Sequence, residues 1–497
     1  MEHKKYIWLL SLWLVLFLSC SVPDIQQYKD TGRYPDLFPD YINVTIPCNI
    51  APLNFHLNHQ INNGVTYLEG NGVRLKISSS DGKFRINERG WKKLLKKNKG
   101  GSIKVTIFTK EGKSWEKYNP FSILVSADPI DPYVVYRLIE PGYELWNKMG
   151  IYQRNLETFK ESAIYENKMT SYNCVNCHSF CMGNPKEMMF HLRGQYGGTI
   201  LIKNEAMEKL NTKTDSTISS LVYPYWHPSG KYIAFSVNKI DQTFYLNNRD
   251  RIEVFDSESN VVMYDTERHQ IFTSPLLATK ARLETFPSFS PDGKTLFFCS
   301  AKAKPVPEKS DSVKYSLCSI PFYSETRTFG STVDTLFNAT NTDKSASFPR
   351  ISPDGRFLLF TAARYGTFPI WHKEADLILY DLKTKEYKDM SKVNSPDVDS
   401  YHSWSSNSRW IIFSSRRGDG LYTRLYIAHV GEDGVTEKAF MLPQKDSRFY
   451  EAFMKSYNIP ELVKGPVNAD SYNISQMAKN SDGILVKYNG TKETIGR

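Results

Sequence analysis

The sequence predicts an all-β protein in which a small antiparallel β-sandwich is followed by a β-propeller. Two observations predict this fold. Aromatic residues make up 13% of the 497 residues, with 30 Tyr and 28 Phe, and aromatic side chains favour strands. A turn motif also recurs in the second half of the chain, each time directly before a run of strand-forming residues. Together they indicate many short strands arranged in repeated units.

Composition and charge exclude two broad classes of protein. Hydrophobic residues make up 40% of the chain and charged residues 23%, which is typical of a folded protein and not of a disordered one. The length suggests two or three domains. The net charge of +10 is a small excess of 63 Lys and Arg over 53 Asp and Glu, without a basic stripe. We therefore expect no nucleic-acid partner.

Residues 1–19 have the pattern of a signal peptide. Lys4 and Lys5 precede the apolar run Tyr6–Leu18, which is too short for the roughly 20 residues of a membrane-spanning helix. Cys20 follows directly and resembles the lipid-modified Cys of bacterial lipoproteins. That resemblance implies acyl chains such as palmitate on Cys20, a membrane partner held through this anchor, and an outer-membrane location facing the periplasm or the cell surface. The alternative is an ordinary signal peptide with an incidental Cys.

The segment 20–40 is polar and is interpreted as a tether, and 41–130 as an immunoglobulin-like β-sandwich. Asp81-Gly82 is a hairpin turn signal. The basic run Trp91–Lys97 is amphipathic; a solvated face is the favoured interpretation, and contact with anionic lipid the alternative. The predicted strands are Val44–Ile46, Leu53–Leu57, Val73–Ile77, Phe84–Ile86, Ile103–Phe108 and Phe121–Val125.

Residues 131–170 are predicted to form a partly helical linker. Asp131-Pro132 and Pro141-Gly142 interrupt the chain. The apolar residues that follow stand at helical spacing, which favours helix over strand. These are Leu145, Met149, Tyr152 and Leu156.

A repeat defines the propeller. The segments Phe286–Lys294 and Phe348–Arg356 share an aromatic-Pro start and a Ser-Pro-Asp-Gly turn, in which Pro fixes φ and Gly accepts positive φ. Tyr223–Lys231 and His402–Arg409 are weaker copies. The residue before each turn lies at positions 226, 289, 351 and 404, with spacings of 63, 62 and 53 residues. Several strands per unit of this length are typical of propeller blades.

These turn-and-strand units resemble the repeat of TolB-type propellers. A fifth copy is visible around 178–202, where His178-Ser179-Phe180 aligns with His402-Ser403-Trp404. We therefore predict a five- or six-bladed propeller over 171–445. The segment 446–497 is expected to pack on this propeller or to close it. The resemblance predicts a fold and carries little information on function.

The segment Cys174–His178 has the Cys-x-x-Cys-His pattern of c-type haem attachment. Two thiols at this spacing bond the porphyrin vinyl groups, and the adjacent His reaches the iron. Three alternatives stay open. Cys174 and Cys177 could form a structural disulfide, Cys181 or His191 could complete a zinc site, or the Cys pair could be redox-active.

Residues 172–203 also resemble a family of exported, TolB-like propeller proteins of Bacteroidetes that carry this motif. The resemblance implies covalent haem c on Cys174 and Cys177, with His178 as the proximal iron ligand. Candidates for the sixth, distal position are Met182, Met188, Met189 and His191.

Two functions follow from these patterns. The first is a lipid-anchored, haem-binding protein of electron transfer or redox sensing, with a redox or envelope protein as partner. The alternative is a protein- or glycan-binding scaffold of an envelope complex, with a Cys174–Cys177 disulfide. The sequence has no Gly-x-Ser-x-Gly, phosphate-loop or His-Glu-x-x-His motif. It therefore favours a protein that is not an enzyme.

Overall fold

The computed structural model describes residues 25–140, 147–245 and 252–490, and the predicted signal peptide and Cys20 lie outside these ranges. Strands dominate throughout and the helices are few and short, so the prediction of an all-β fold is confirmed. Within the described ranges, no helix has the length and apolar character needed to cross a membrane.

The N-terminal region combines two sheets with one helix. One sheet has seven strands, in which β5 pairs with β6 and β8, and β8 pairs with β9 and β10. A second sheet joins three short strands, β2, β4 and β7. The elements are β1 (Lys29–Asp30), β2 (Leu37–Phe38), β3 (Thr45–Ile46), β4 (Phe55–Leu57), β5 (Gly64–Gly70), β6 (Val73–Ser79), β7 (Lys83–Phe84), α1 (Glu88–Asn98), β8 (Ser102–Glu111), β9 (Ser114–Lys117) and β10 (Phe121–Val125).

The basic run 91–97 belongs to helix α1, and its apolar face is part of the core. Asn87 caps the helix by accepting a hydrogen bond from the Gly90 N–H over 3.0 Å. Trp91, Leu94 and Leu95 are buried in the main N-terminal hydrophobic cluster, while the lysines point outward. This helix packs on β5 and β6. The region therefore differs from a plain two-sheet immunoglobulin-like sandwich, because a helix covers part of the large sheet.

The segment 131–170 forms strands where a partly helical linker was expected. β11 (Tyr133–Ile139), β12 (Gly150–Asn155) and β13 (Glu161–Glu166) pair antiparallel in the order β13-β12-β11, and a 3-10 helix, Asn167–Thr170, follows. Val134, Val135 and Tyr136 are fully buried in β11, as β-branched and aromatic residues favour. The helical spacing was misleading because Met149 and Leu156 flank strand β12. Leu145 lies outside the described residues.

Five further sheets follow in chain order, each starting near one copy of the repeat. Within each sheet the successive strands pair antiparallel. Their strands are β14 (Val175–Phe180), β15 (Glu187–Leu192), β16 (Gly198–Lys203), β17 (Ala206–Asn211), β18 (Val222–Trp226), β19 (Tyr232–Phe244), β20 (Ile252–Asp265), β21 (Gln270–Phe272), β22 (Arg282–Phe289), β23 (Thr295–Lys302), β24 (Ser316–Tyr323), β25 (Thr328–Phe329), β26 (Asp334–Phe337), β27 (Ser345–Ile351), β28 (Phe357–Ala363), β29 (Asp376–Asp381), β30 (Glu386–Lys388), β31 (Asp399–Trp404), β32 (Trp410–Ser415), β33 (Arg424–His429) and β34 (Phe440–Met441).

The Pro-Asp-Gly turns connect the first two strands of their sheets as predicted. Gly293 between β22 and β23 has φ +72°, and Gly355 between β27 and β28 has φ +76°. At Gly293 a side chain would also collide with the ring of His227, whose Nε2 lies 3.1 Å from the Gly293 carbonyl oxygen. Glycine is therefore required there for both conformation and space. Short helices stand outside the sheets, namely a 3-10 helix at Ser310–Ser312, α2 (Ala339–Thr342) and α3 (Phe449–Ala452).

The C-terminal segment completes sheets that began much earlier in the chain. Strand β35 (Ser456–Val463) pairs antiparallel with β11, so the sheet order is β13-β12-β11-β35. After helix α4 (Ser471–Asn480), β36 (Ile484–Leu485) adds to β17 and β37 (Lys487–Tyr488) adds to β21, both in parallel. Six sheets thus follow the N-terminal region. One of them combines β11–β13, which come first in this part of the chain, with β35, which comes near its end.

Each of these six sheets presents one edge strand to its neighbours. The edge strands, called here the central strands, are β14, β18, β22, β27, β31 and β35. They contact one another in this order, and β35 contacts β14 as well as β31. Side chains from all six sheets therefore come together where the central strands meet.

Candidate functional site

The central strands share one unusual backbone feature at the same position. Each contains a residue with a left-handed φ between 43° and 55°, a conformation that non-glycine residues seldom adopt. We call these residues the left-handed layer: Cys177, Tyr223, Phe286, Phe348, Tyr401 and Ile459. In five of the sheets a register shift in the pairing of the central strand falls at this residue. In the sixth sheet, β35 has one more residue than β11 between the paired positions on either side of Ile459. Each position is therefore a β-bulge.

The side chains of the left-handed layer meet each other. The ring centroids of Tyr223 and Phe286 are 4.6 Å apart, those of Phe286 and Phe348 4.5 Å, and those of Phe348 and Tyr401 4.5 Å. Such spacing is that of favourable aromatic contacts. Tyr223 and Tyr401 line one recess of the molecule, and Ile459 lines that recess and a second one. The layer therefore lies between two recesses.

Two residues further along each central strand lies a second set of side chains. This set, the polar layer, consists of Ser179, Tyr225, Ser288, Arg350, Ser403 and Glu461. Members of the layer bind backbone groups of the neighbouring sheet. Ser403 Oγ accepts from the Leu462 N–H over 3.2 Å, and Glu461 Oε1 accepts from the Phe180 N–H over 2.9 Å. The layer thus combines sheet-to-sheet hydrogen bonds with two charged groups, Arg350 and Glu461.

The Cys-x-x-Cys-His segment is one copy of this repeated geometry. Cys177 is the left-handed residue of β14, and His178 occupies the next position, which is His402 in β31 and proline in the other four central strands. Cys174 precedes β14 and lines the first recess, whereas His178 lines the second. The three motif residues are thus spread along an extended strand and do not face one space.

The structure therefore overturns the predicted function in haem-based electron transfer or redox sensing. Covalent haem needs both thiols and the histidine on one face of the porphyrin. Here Cys177 lies in the layer between the recesses, Cys174 on one side of it and His178 on the other. His178 is 2% exposed, and burial lowers its pKa from 6.5 to about 3, with a further contribution from Arg137. The residues present do not fit a haem.

The predicted distal ligands are also dispersed. Met188 and Met189 are buried on opposite faces of β15 and pack into two different hydrophobic clusters. Met182 packs at the edge of the second of these clusters. His191 is buried, and its Nδ1 lies 2.7 Å from Thr199 Oγ1. The side chains that were candidates for the iron are core residues, because strand β15 lies in the interior of its sheet.

The alternative roles of the cysteines find no support either. Cys174 and Cys177 are both free thiols, as are Cys48, Cys181, Cys299 and Cys318. Burial raises the pKa of Cys177, which disfavours the reactive thiolate. Within the ranges that the structure describes, no three His, Cys, Asp or Glu side chains are placed to share a metal ion. The zinc and disulfide interpretations therefore do not match this geometry.

The first recess, called here the arginine recess, combines basic and apolar side chains. It encloses about 1040 Å³ counted to its open mouth. Its basic residues are Arg137, Arg193 and Arg416, against one acid, Glu140. The walls are apolar or aromatic and come from β20, from the loops after β28, and from the left-handed layer. They include Ile252, Val254, Phe368, Ile370, Trp371, Tyr223 and Tyr401.

The arginines of this recess differ in how they are held. The Arg416 guanidinium lies 3.3 Å from the ring centroid of Trp371, and its Nε donates to the Ile370 carbonyl over 2.9 Å. Arg137 Nη1 donates to Asn176 Oδ1, while its Nε is buried without a hydrogen-bond partner in the described chain. Arg193 has no carboxylate partner among the described residues. Two guanidinium groups thus retain donors that a ligand can use.

The second recess, called here the glutamate recess, encloses about 1240 Å³ counted to its mouth. It is lined by Arg350 and Glu461 of the polar layer and by His178 and His402. Burial lowers the pKa of His402, like that of His178, to about 3, so both imidazoles are neutral. Burial also raises the pKa of Glu461 to about 8.

The sixth member of the repeat, in β35, was not predicted from the sequence. The signal was present in Ile459-Pro460-Glu461-Leu462, which matches Phe348-Pro349-Arg350-Ile351 in its Pro and its apolar ends. No Pro-Asp-Gly turn follows it, because the partner strand β11 comes from the other end of this part of the chain. The sequence therefore did not indicate Glu461 or Arg137 as candidate site residues, because they lie on β35 and its partner β11. It did not indicate Arg193 either.

Comparison with known proteins gives weak likenesses of fold. The sequence matches no known protein family and no curated protein. A protein of the DUF4784 family from Bacteroides caccae has a TM-score of 0.31 at 10% identity, covering 73% of this chain and 97% of its own. Dipeptidyl peptidase 4 of Porphyromonas gingivalis has a TM-score of 0.31 at 9% identity, covering 82% of this chain and 53% of its own. A prolyl endopeptidase has a TM-score of 0.34 at 12% identity, covering 62% of this chain and 42% of its own.

These comparisons correct the expectation that the chain is not an enzyme. Two of the three similar structures are peptidases. The chain spans about half the length of those peptidases. The likeness concerns the fold, and we transfer neither activity nor substrate from it.

Proposed function

We propose that the protein is a ligand-binding propeller and that the arginine recess binds an organic anion with an apolar or aromatic body. The observation that carries the proposal is that Arg137 and Arg193, neither of which has a carboxylate partner among the described residues, line a recess whose walls are mainly apolar. A guanidinium in such a setting pairs strongly with a carboxylate, because little water competes. The apolar walls would hold the rest of the ligand.

The proposal includes a closed, six-bladed propeller of the TolB-like kind. Three features support closure: the contact of β35 with both β31 and β14, the shared bulge in all six central strands, and the pairing of β35 with β11. In this arrangement the two recesses are the two ends of a central channel, which the left-handed layer blocks. Propeller channels commonly hold ligands at one end.

The charge balance at the arginine recess favours an anion over a cation. Its one acid, Glu140, is already engaged by Lys455, whose Nζ lies 3.8 Å from Glu140 Oε1. Arg193 lies close enough to Cys177 and Tyr223 to lower the pKa of each against the stronger effect of burial, which raises both. The positive charge therefore reaches the bottom of the recess, where a carboxylate would sit.

Matched pairs of ligands test this proposal. Calorimetric titration with naphthalene-2-carboxylate and with decanoate is expected to show binding, and their neutral amides are expected to bind at least tenfold more weakly. Arg193→Gln should remove most of the difference between acid and amide. Arg85→Gln, an exposed arginine of the N-terminal region that pairs with Asp81, is the control and should leave binding unchanged. Equal affinity for acid and amide, or unchanged binding in a folded Arg193→Gln variant, would contradict the proposal.

We also propose that the protein is exported and held at the outer membrane by lipid on Cys20. The support is the sequence of residues 1–20, a short apolar run ending at a cysteine. An exported location would place the recess in contact with ligands of the cell envelope.

A further inference from the structure

The glutamate recess contains two opposite charges that the described protein leaves without a charged partner. Arg350 and Glu461 occupy the same position on β27 and β35, with β31 between these two strands. The intervening member of the polar layer is Ser403, a short neutral side chain. Arg350, Ser403 and Glu461 all line the recess.

Arg350 makes few interactions for a partly buried guanidinium. Its Nη1 donates to the neighbouring Pro349 carbonyl over 2.8 Å, and its guanidinium carbon lies 4.9 Å from the ring centroid of Tyr225. No carboxylate lies within ion-pair distance among the described residues. Burial lowers its pKa, with Glu461 among the weaker opposing influences. Since a buried charge is costly without a partner, a ligand carboxylate would relieve this cost.

Glu461 likewise has fewer partners than its carboxylate can bind. Oε1 accepts one hydrogen bond, from the Phe180 N–H at 2.9 Å, although a carboxylate offers about four acceptor sites. No Lys or Arg of the described chain lies within ion-pair distance of it. Burial raises its pKa to about 8, and the influence of Arg350 is too weak to offset this. A ligand ammonium placed beside Glu461 would favour the ionised carboxylate.

The surroundings of the recess hold these groups in place. The Trp226 indole Nε1 donates to the Ser179 carbonyl over 3.3 Å, and the Trp404 indole Nε1 donates to the Arg350 carbonyl over 3.2 Å. Both indoles therefore tie one central strand to the next. The backbone of Arg350 is fixed by such a bond, so its side chain is presented from a rigid support.

We propose that the glutamate recess binds a small zwitterion, with the ligand carboxylate on Arg350 and the ligand ammonium on Glu461. The recess is open at its mouth and can admit a ligand of the size of an amino acid or a dipeptide. Both charges of the ligand are needed, because either one alone would leave the other protein charge buried without a partner. This site is separate from the arginine recess and does not depend on the function proposed for it.

The test uses the mature chain and three zwitterions, leucine, glycyl-leucine and glycine betaine. Titration calorimetry is expected to show binding of at least one of them. The matching N-acetyl and carboxamide derivatives of leucine and glycyl-leucine, which lack one charge, should bind at least tenfold more weakly. Arg350→Gln and Glu461→Gln should each reduce the affinity for the zwitterion at least tenfold.

Three controls separate this site from general effects on folding. Ser288→Ala changes a neutral member of the same polar layer that does not line the recess, and should leave affinity unchanged. Arg85→Gln, at an exposed arginine of the N-terminal region that lines neither recess, should also leave it unchanged. In the absence of ligand, Glu461→Gln should melt at the same or a higher temperature than the wild type at pH 8, because the neutral amide avoids a buried ionised carboxylate. A lower melting temperature for Glu461→Gln, or no binding of any of the three zwitterions, would overturn the proposal.

Discussion

Cys177 and Tyr401 occupy equivalent positions in two different sheets, each with a left-handed backbone and each followed by a buried histidine. His178 and His402 are therefore the same structural position in two copies of the repeat. This relationship explains the Cys-x-x-Cys-His pattern without a cofactor. Its last two residues, Cys177 and His178, occupy the bulge position and the position after it, as Tyr401 and His402 do in β31. It also provides a matched pair for experiment.

His178→Gln and His402→Gln are both expected to destabilise the protein without changing its absorption spectrum. His402 Nε2 lies 3.0 Å from the Leu359 carbonyl oxygen, so loss of that bond should cost about 1 kcal/mol. His178 is buried in the same way and interacts with the backbone of Ile459 and Val135, so its substitution should cost a similar amount. Urea denaturation measures both, and the pyridine haemochrome spectrum of protein from a haem-competent host is the control. Covalent haem that depends on Cys174 and Cys177 would contradict this interpretation.

Phe348→Ala should be strongly destabilising because Phe348 contacts two rings of the left-handed layer. Large-to-small changes of buried aromatic residues typically cost about 3–5 kcal/mol. Phe348 lies 4.5 Å from the ring centroids of both Phe286 and Tyr401. The free energy of unfolding in urea is the measurement, and Tyr323→Ala at an exposed aromatic is the control. A cost as small as that of the control would mean that the layer contributes little to stability.

Trp91→Ala should destabilise the N-terminal region, because Trp91 is fully buried and its Nε1 donates to the Ile50 carbonyl over 2.9 Å. The expected cost is about 3–5 kcal/mol, the usual range for such a truncation. Lys92→Ala on the exposed face of α1 should change stability little. Thermal unfolding of the two variants distinguishes a packed helix from one that lies on the surface, in which case both variants would behave alike.

The stability that three buried histidines contribute should fall as the pH is lowered from 6.5 toward 3. Burial lowers the pKa of His178, His191 and His402 to about 3, so these side chains stay neutral in the folded state and take up protons only on unfolding. The stability they contribute is present above pH 6.5 and is lost as the pH approaches 3. Urea denaturation at pH 6.5 and pH 4.5 measures the difference, and His402→Gln should reduce it. An unchanged pH dependence in that variant would contradict the assignment.

Glu461 has the opposite effect on the pH dependence of stability. Its pKa rises from 4.5 to about 8 on folding, so the stability that goes with its protonated form is present below pH 4.5 and is lost as the pH rises through about 8. Glu461→Gln should therefore reduce the loss of stability between pH 4.5 and pH 8 and leave the profile below pH 4.5 unchanged, as urea denaturation across this range would measure.

Cys20→Ala should release the protein from membranes. The apolar run Tyr6–Leu18 is too short to span a bilayer, so lipid on Cys20 is the proposed anchor. Fractionation of cell envelopes followed by immunoblotting measures the change. If the variant still sediments with the outer membrane after a high-salt wash that removes bound partners, the lipid anchor is the wrong explanation.

The sequence was informative where local chemistry determines the backbone. Pro291, Gly293, Pro353 and Gly355 constrain φ in their own turns, and the strands that follow them lie where they were expected. Strand β6 was visible in the same way from the alternation of Val73, Leu75 and Ile77 with polar residues. Such elements are encoded by neighbouring residues alone.

The parts that were mispredicted depend on contacts between distant residues. Strands β11–β13 were expected to be partly helical because Met149, Tyr152 and Leu156 stand at helical spacing, yet their burial comes from pairing with each other and with β35. The haem motif was misleading for a related reason. Five residues at the right spacing specify a cofactor site only if the backbone brings them to one side, and the bulge at Cys177 does not.

The pairing of β11 with β35 has a consequence for how the chain is made. A nascent chain exposes the open edge of β11 from the time Tyr133 is synthesised until Val463, near the C-terminus, becomes available. An unpaired strand edge is a site of aggregation, so the interval between these two events is hazardous. Chaperones that hold the chain unfolded until β35 emerges would remove that hazard, and a chain that crosses a membrane in the unfolded state is held in this way as a matter of course.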